Sequence, residues 1–331
     1  MSRQAVLSLL RQGGYVSGQA ISQRLGLSRA AVWKAVDGLR KDGYEIQART
    51  GLGYCLGQTP DLLTQGEIQS YLPQGLTIAH TLDALETVDS TNSYLKTLAV
   101  QGAQLAPHGT VVVSDCQSAG RGRMARSFHS PAGTGIYLSL LLRPQCAPQA
   151  LMPLTAMAAV AICRAVEEIC GLQAQIKWPN DIVVAQKKLC GILTELSIEG
   201  ETGRVDYVVL GMGINVGQTA FPDELTACAV SLQQMGYTVS RPQLTALMLK
   251  HLDALSQSLQ APQTYLAPYR ERCVNLGKAL EIVRLDGTSQ PVTGHAIDDT
   301  FALVVRHVDG TLETLQSGEV SIHGFYGKEP L

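Results

Sequence analysis

Residues 109–142 read GTVVVSDCQSAGRGRMARSFHSPAGTGIYLSLLL. Two apolar runs, Gly109–Ser114 and Gly135–Leu142, bracket a polar loop. Each run is short, rich in Val, Ile and Leu and bounded by glycine or proline, so each predicts a buried strand. The loop contains Gly120-Arg121-Gly122-Arg123-Met124-Ala125-Arg126. Its glycines let the backbone approach a ligand closely. Its three arginines supply forked donors suited to phosphate oxygens. A solvated basic loop, or a nucleic-acid contact, would share this composition. The position between two apolar strands favours the phosphate reading.

Outward from this stretch, strands are expected at Leu82–Val88, Gln175–Trp178, Ile182–Val184, Lys188–Glu199 and Val205–Asn215, and helices at Thr64–Leu72, Asn92–Val100, Met152–Cys170 and Arg241–Cys273. Thr64 followed by Glu67 is a capping box. Gly200-Glu201-Thr202-Gly203 reads as a hairpin turn. Several strands are joined by short turns, so the sheet is expected to be mixed, an α+β layer and not a doubly wound one. Two nucleotide signatures fail: Gly277-Lys278 and Gly327-Lys328 lack the phosphate-loop pattern, and Gly211-Met212-Gly213 is not completed as G-x-G-x-x-G. Two further candidates remain. Lys177-Trp178-Pro179-Asn180-Asp181, with Lys187-Lys188-Leu189-Cys190-Gly191 after it, would present an amide, a carboxylate and an ammonium at a sharp corner. Asp89-Ser90-Thr91-Asn92 reads first as a helix cap, and its side chains would also suit a small polar ligand group.

Residues 1–60 hold eight Lys/Arg against three Asp/Glu, while the rest holds 18 against 25. Only the N-terminal segment is suited to a polyanion. It predicts a short helix around Ala5–Leu10, a second opened by Ser17, a turn at Gly26, and a third capped by Ser28 and stopped by Gly43. The stretch Tyr44–Leu56 alternates and turns at Thr50–Gly53, as a two-stranded wing. This is a winged helix-turn-helix with the third helix in the major groove. Ser28, Arg29 and Lys34 would meet bases or phosphates there, and Arg49 a neighbouring phosphate. Trp33, at helical spacing, reads more readily as partly core than as a base contact. The competing reading is a helical protein-contact module.

From Val274 onward short apolar runs alternate with turns: Ala279–Leu285, His295–Ile297, Leu303–His307, Thr311–Leu315 and Val320–Gly324, with Asp286-Gly287 and Asp309-Gly310 as hairpin signals. They form a small β-barrel. The 331 residues thus divide into 1–60, 65–273 and 274–331. A composition of 45% hydrophobic and 16% charged residues excludes a disordered chain. No secretory signal opens the sequence, and the apolar stretches noted, Ile136–Leu142 and Met157–Ile162, fall short of the ~20 residues of a membrane span. The eight cysteines are scattered without C-x-x-C, as reduced core residues of a cytoplasmic protein.

Taken together, Asp89–Asn92, Gln117–Arg123, Ser130-Pro131, Gly135–Ser139, Lys177–Asp181, Lys188–Glu195 and Gly211–Asn215 resemble the biotin–protein ligase family, in order and spacing over about residues 80–235. The winged helix extends the resemblance to the bifunctional ligases that also repress biotin genes. The fold implied is multidomain α+β: winged helix-turn-helix, central mixed-sheet α/β ligase domain, and C-terminal SH3-like barrel.

The resemblance implies an ATP-dependent, AMP-forming ligase. Biotin's carboxylate attacks the α-phosphate of MgATP, and a lysine of the biotin carboxyl carrier protein of acetyl-CoA carboxylase then attacks biotinyl-5′-AMP. It implies biotin contacts from Ser90, Thr91, Asn92, Gln117, Arg121, Gly122, Arg123 and Lys188. Arg126, Phe128, Asn180 and Asn215 would meet ATP or the adenylate. Arg121, Arg123, Asp181 and Lys188 would act at the reacting centre, with Asp181 near Mg²⁺ or the incoming lysine. It also implies a homodimer through the edge of the central sheet when adenylate is bound, placing two winged helices on operator DNA. The sequence departs from the family's pattern at Met124, Ala125 and Phe128, where an arginine, a glycine and a tryptophan are usual. Two other readings stay open: a biotin-sensing regulator without catalysis, and a lipoate-type acyl ligase.

Overall fold

The computed structural model describes residues 2–284, 288–322 and 325–326. It comprises two compact units, Met1–Leu62 and Leu63–Leu331.

In the first unit, α1 (Ser2–Leu10), α2 (Gly18–Leu25) and α3 (Arg29–Lys41) precede the antiparallel pair β1 (Ile46–Arg49) and β2 (Gly53–Leu56). Ser17 and Ser28 cap α2 and α3, their hydroxyls accepting from the amides of Ala20 and Ala31. Gly26 ends α2 in the left-handed conformation, at φ 65°. Leu7, Leu10, Ile21, Val32, Val36 and Leu39 form the unit's own core. Gly53 is obligatory: at φ 105°, a Cβ would sit 2.2 Å from the carbonyl oxygen of Val16.

The second unit opens with α4 (Gln65–Tyr71), where Thr64 accepts from the amide of Glu67. Its sheet contains β3 (Leu82–Val88), β4 (Val111–Gln117), β5 (Gly135–Leu142), β6 (Gln175–Lys177), β7 (Asp181–Val184), β8 (Lys187–Ile198) and β9 (Val205–Asn215), in the order β3-β4-β5-β9-β8-β7-β6. Only β3 and β4 are parallel, so the sheet is mixed. α5 (Thr91–Val100) packs on one face through Leu95, Ala99, Val112, Leu141 and Val209. α6 (Leu154–Cys170) and α8 (Arg241–Gln257) cover the other, over Val111, Val113, Leu140 and Leu210. Every residue of β5 is therefore buried, which explains its unbroken apolar run.

The single helix expected over Arg241–Cys273 is broken: α8 stops at Gln257, and after a 3-10 turn at Pro262–Tyr265, α9 spans Leu266–Arg272. Pro262 cannot donate to a continuing helix and biases the preceding residue toward extended backbone; Ala261 sits at φ −131°. A short helix at Asp223–Thr226, α7, was not anticipated. Pro148–Cys170, a 3-10 turn running into α6, is long and apolar enough to cross a membrane, unlike the shorter stretches noted from sequence. Two-thirds of its most apolar window is buried inside the fold, as in a core helix.

The C-terminal strands β10 (Ala279–Val283), β11 (Ser289–Ile297), β12 (Leu303–Arg306), β13 (Leu312–Leu315) and β14 (Glu319–Ile322) form an antiparallel sheet in the order β13-β12-β11-β10-β14, matching the SH3-like barrel. The β12–β13 turn uses Gly310 at φ 88°, while the Asp286-Gly287 signal and the end of the run at 323–324 lie outside the described residues. These strands share the main hydrophobic core of the second unit. Trp178 joins the two parts: its amide donates to Asn275 Oδ1 at 2.7 Å and its indole to the Phe301 carbonyl at 3.2 Å. All eight cysteines are free thiols; Cys163, Cys190 and Cys273 are buried, and the other five are only partly buried, so the core reading holds for three.

Candidate active site

The cap Asp89–Asn92 stands where β3 hands over to α5. Ser90 is the N-cap, and Ser90, Thr91 and Asn92 are all buried. Gln117, at the end of β4, accepts from the backbone and hydroxyl of Thr91 at 2.9 and 3.2 Å, and donates to Ser130 Oγ at 3.0 Å. Ser139 of β5 donates to Asn92 Oδ1 at 2.6 Å. Asn92 donates to Glu195 Oε2 at 2.8 Å. These bonds orient a set of buried polar groups at the end of the sheet.

The floor opposite them is made of glycines. On β8 and β9, Gly191 pairs with Gly213, and Leu193 with Gly211. A Cβ at Gly211 would lie 2.2 Å from Asn92 Oδ1, one at Gly213 2.5 Å from the Phe128 ring, and one at Gly191 2.8 Å from Lys188 Cε. Strand glycines where another group approaches closely are the signal that would have marked this floor from sequence.

The Gly-Arg loop folds over this floor. It contains one 3-10 turn, Arg123–Ala125, with Met124 and Ala125 at φ 55° and 58°. The alanine thus occupies a left-handed position that favours glycine. Arg123 donates to Asn180 Oδ1 at 3.2 Å and to the Gly318 carbonyl at 3.1 Å, and Arg126 meets Glu319 at 2.6 Å. Burial pulls the Arg123 pKa down, and the charges of Asp181 and Glu319 oppose that pull.

Ser90, Thr91, Asn92, Gln117, Arg121, Gly122, Arg123, Phe128, Asn180 and Lys188 line one cavity, of about 40 Å³. Beside it lies a chamber of about 530 Å³, lined by Arg126, Asp181 and Asn215 among others, with Gln117, Phe128 and Lys188 shared between the two. Lys188 Nζ lies 2.7 Å from Asp181 Oδ1, an ion pair at charge-assisted contact distance. Tyr326 donates to the other oxygen of Asp181 at 2.8 Å. Burial works against the Asp181 charge, yet Lys188, Lys177 and Tyr326 outweigh it and hold the pKa below the usual carboxylate value.

Asn215 is turned inward: its amide donates to the carbonyls of Lys188 and Val230, and its oxygen accepts from Gln218. It ties the segment 217–231 to β8 and β9. Among the described residues no three His, Cys, Asp or Glu side chains converge on a point. Since an ammonium and a phenol already face both oxygens of Asp181, the donor set does not fit a magnesium ion held by the protein. Glu195, Ser139, Glu319 and Tyr326 were not foreseen as site residues; each acts across a long sequence separation that local patterning does not encode.

In the first unit, Ser28, Arg29 and Lys34 lie exposed along the start of α3, and Arg49 on the wing. Arg29 is held by Gln19 at 3.1 Å, and the Arg49 guanidinium stacks 5.4 Å from the Tyr15 ring. Trp33 is 60% exposed, so it faces away from the core, contrary to the reading from its spacing.

Comparison with known proteins agrees with both units. Residues 84–215 match the biotin/lipoate A/B protein ligase family, and residues 2–55 a helix-turn-helix domain. The bifunctional ligase/repressor BirA of Bacillus subtilis is 45% identical over 236 residues, covering 70% of this chain and 71% of that protein. Its Escherichia coli counterpart is 30% identical over 321 residues, 96% of each chain. The biotin protein ligase of Aquifex aeolicus, solved with biotin and ATP, superposes with a TM-score of 0.63 at 26% identity, covering 74% of this chain and 99% of that one. The chain belongs to the biotin/lipoate A/B protein ligase family and, within it, to the bifunctional ligase/repressors.

Proposed function

We propose that this protein is an ATP-dependent biotin–protein ligase that also acts as a DNA-binding repressor. The observation that carries the ligase reading is the junction of the two cavities. Lys188 and Phe128 border both, and Arg121 and Arg123 close the smaller one. Joining a carboxylate to a triphosphate needs positive charge concentrated where two anions meet.

In this reading Ser90, Thr91, Asn92 and Gln117 bind the ureido ring of biotin. Arg121, Arg123 and Lys188 draw its carboxylate to the α-phosphate of ATP. The carboxylate oxygen forms a bond to phosphorus, and pyrophosphate leaves. A lysine amine of the biotin carboxyl carrier protein of acetyl-CoA carboxylase then attacks the acyl carbon, and AMP leaves. Arg126 and Phe128 border the nucleotide side, Asn180 serves the adenylate from the smaller cavity beside Arg123, and Asn215 shapes the nucleotide side by holding segment 217–231. Magnesium belongs in this scheme to the phosphates of the nucleotide. The small cavity is far below the ~300–1,000 Å³ of ligand pockets. Binding must therefore lift Phe128 and the arginine loop, which then close over a hydrolysable intermediate.

Ser28, Arg29, Lys34 and Arg49 are the operator contacts. We further propose that adenylate-bound protein dimerises through the edge of the central sheet. On β8, β7 pairs only with the start, and Ile192 still bonds to Asn180, leaving residues 193–198 backbone-paired with β9 alone, with Leu196 and Ile198 exposed along that edge. The free thiols fit a cytoplasmic location.

The test is ATP–pyrophosphate exchange with and without biotin, followed by transfer to a carrier-domain fragment. Biotin-dependent exchange and transfer are expected. Tight biotin binding without exchange would convert the reading to a ligand sensor, and exchange with lipoate alone to a lipoate-type ligase. Sedimentation with biotin and ATP together, against either alone, tests the dimer.

A further inference from the structure

Beyond β14 the chain does something the reaction scheme does not use. Phe325 is buried in the main core and anchors the segment. Tyr326 follows in a left-handed conformation, φ 59°, which a bulky side chain adopts only when its surroundings impose it. Its amide donates to the Gln186 carbonyl at 3.3 Å, in the turn between β7 and β8. Its ring lies 4.9 Å from Nζ of Lys177, and its hydroxyl donates to Asp181 Oδ2 at 2.8 Å. Tyr326, four residues past the end of β14, thus reaches the corner 177–181 and borders the larger chamber beside Lys188.

We infer that Tyr326 is a positioning residue: its phenol holds one oxygen of Asp181 so that the carboxylate meets Lys188 through the other oxygen only. The inference rests on the reading of Asp181 and Lys188 at the reacting centre given above.

Two donors compete for this carboxylate. A carboxylate with both oxygens available grips an ammonium more fully than one already bonded to a neutral donor. Here Lys188 meets one oxygen of the carboxylate, at 2.7 Å. It can swing to a substrate oxygen as charge builds there, while Asp181 keeps its place. The phenol is suited to this task, because it donates to the carboxylate without adding a further positive charge to a corner that already holds Lys177 and Lys188. Its ring meanwhile covers the Lys177 ammonium, a contact that phenylalanine would preserve.

Tyr326→Phe and Asp181→Asn, singly and together, form the test in the full-length protein. The readouts are biotin-dependent pyrophosphate exchange, resolved into kcat and KM, and biotin affinity by calorimetry. Tyr326→Phe is expected to lower kcat about tenfold, the scale of one hydrogen bond to a charged group, with KM for biotin and biotin affinity unchanged. In the Asp181→Asn background the same change is expected to cost nothing further, because the hydroxyl acts through that carboxylate. Full exchange by Tyr326→Phe beside an impaired Asp181→Asn overturns this inference alone. So does a loss that multiplies in full in the double variant, or one matched by lost biotin affinity. Full exchange by Asp181→Asn overturns the reading of the reacting centre, and this inference with it.

Discussion

Asn92 donates its amide to Glu195 at 2.8 Å, and the other oxygen of that carboxylate lies 2.6 Å from Nζ of Lys96. A strand residue about a hundred positions away in sequence thus fixes the amide beneath the smaller cavity. Burial disfavours the Glu195 charge, but the bonds from Lys96 and Asn92 prevail and its pKa lies below the usual carboxylate value. A carboxylate depressed by folding binds fewer protons in the native state than in the unfolded one. Its contribution is therefore complete above the unfolded pKa, near 4.5, and is lost as pH falls through the lower native value. Glu195→Gln is expected to cost about 1 kcal/mol at neutral pH, with the gap to the parent closing in acid. Thermal unfolding of both proteins from about pH 7 down to about pH 3 measures this; a gap that does not change with pH would refute it.

The glycine floor gives two substitutions with different readouts. At Gly211 a methyl group must displace the Asn92 carboxamide, which Glu195 and Ser139 pin at both ends. Gly211→Ala is expected to destabilise by about 1–3 kcal/mol and to weaken biotin binding at least tenfold. At Gly213 the methyl group meets the edge of the Phe128 ring, which stands between the two cavities. Gly213→Ala is expected to raise KM for ATP more than the dissociation constant for biotin. Equal effects of both variants on both ligands would show that the cavities do not divide the substrates as proposed.

Arg126 is held by Glu319 of the C-terminal sheet, with the arginine side chain 64% exposed. An ion pair this open contributes little to stability, ~0–1 kcal/mol. If Arg126 meets phosphate, it must first leave Glu319. Glu319→Gln should then leave the unfolding temperature unchanged and lower KM for ATP a few-fold. A higher KM would mean that Glu319 presents Arg126 to the nucleotide rather than withholding it.

How much of this was legible beforehand depends on range. β3, β5 and β9 have the expected boundaries because each is an apolar run closed by turn residues, a signal contained in the segment itself. The caps Ser17, Ser28 and Thr64 were readable for the same reason, and so was a cap within Asp89–Asn92, which the structure places at Ser90. The helix over 241–273 was overextended because apolar spacing was weighed above Pro262. The cluster of Ser90, Thr91, Asn92, Gln117 and Lys188 was expected from the family resemblance. What holds that cluster in place was not, since Glu195 acts on Asn92 and Tyr326 on Asp181 only after the sheet and the C-terminal strands have assembled.

Trp33 offers the last test because its exposure reverses the expectation from spacing. A side chain 60% exposed contributes little to the core, so Trp33→Ala should leave the unfolding temperature within a degree or two. Near it at the start of α3, Arg29 is braced by Gln19 and so presented at low conformational cost. Arg29→Ala and Arg49→Ala should each weaken operator binding. Removing an arginine that neutralises a phosphate also lowers the salt dependence of binding by about one unit of slope. Removing one that reads a base edge leaves the slope unchanged and relaxes sequence preference. Titrations of operator and scrambled DNA at several salt concentrations separate the two roles. If Trp33→Ala unfolds the N-terminal unit instead, the tryptophan is structural and the proposed DNA face must be redrawn around the arginines.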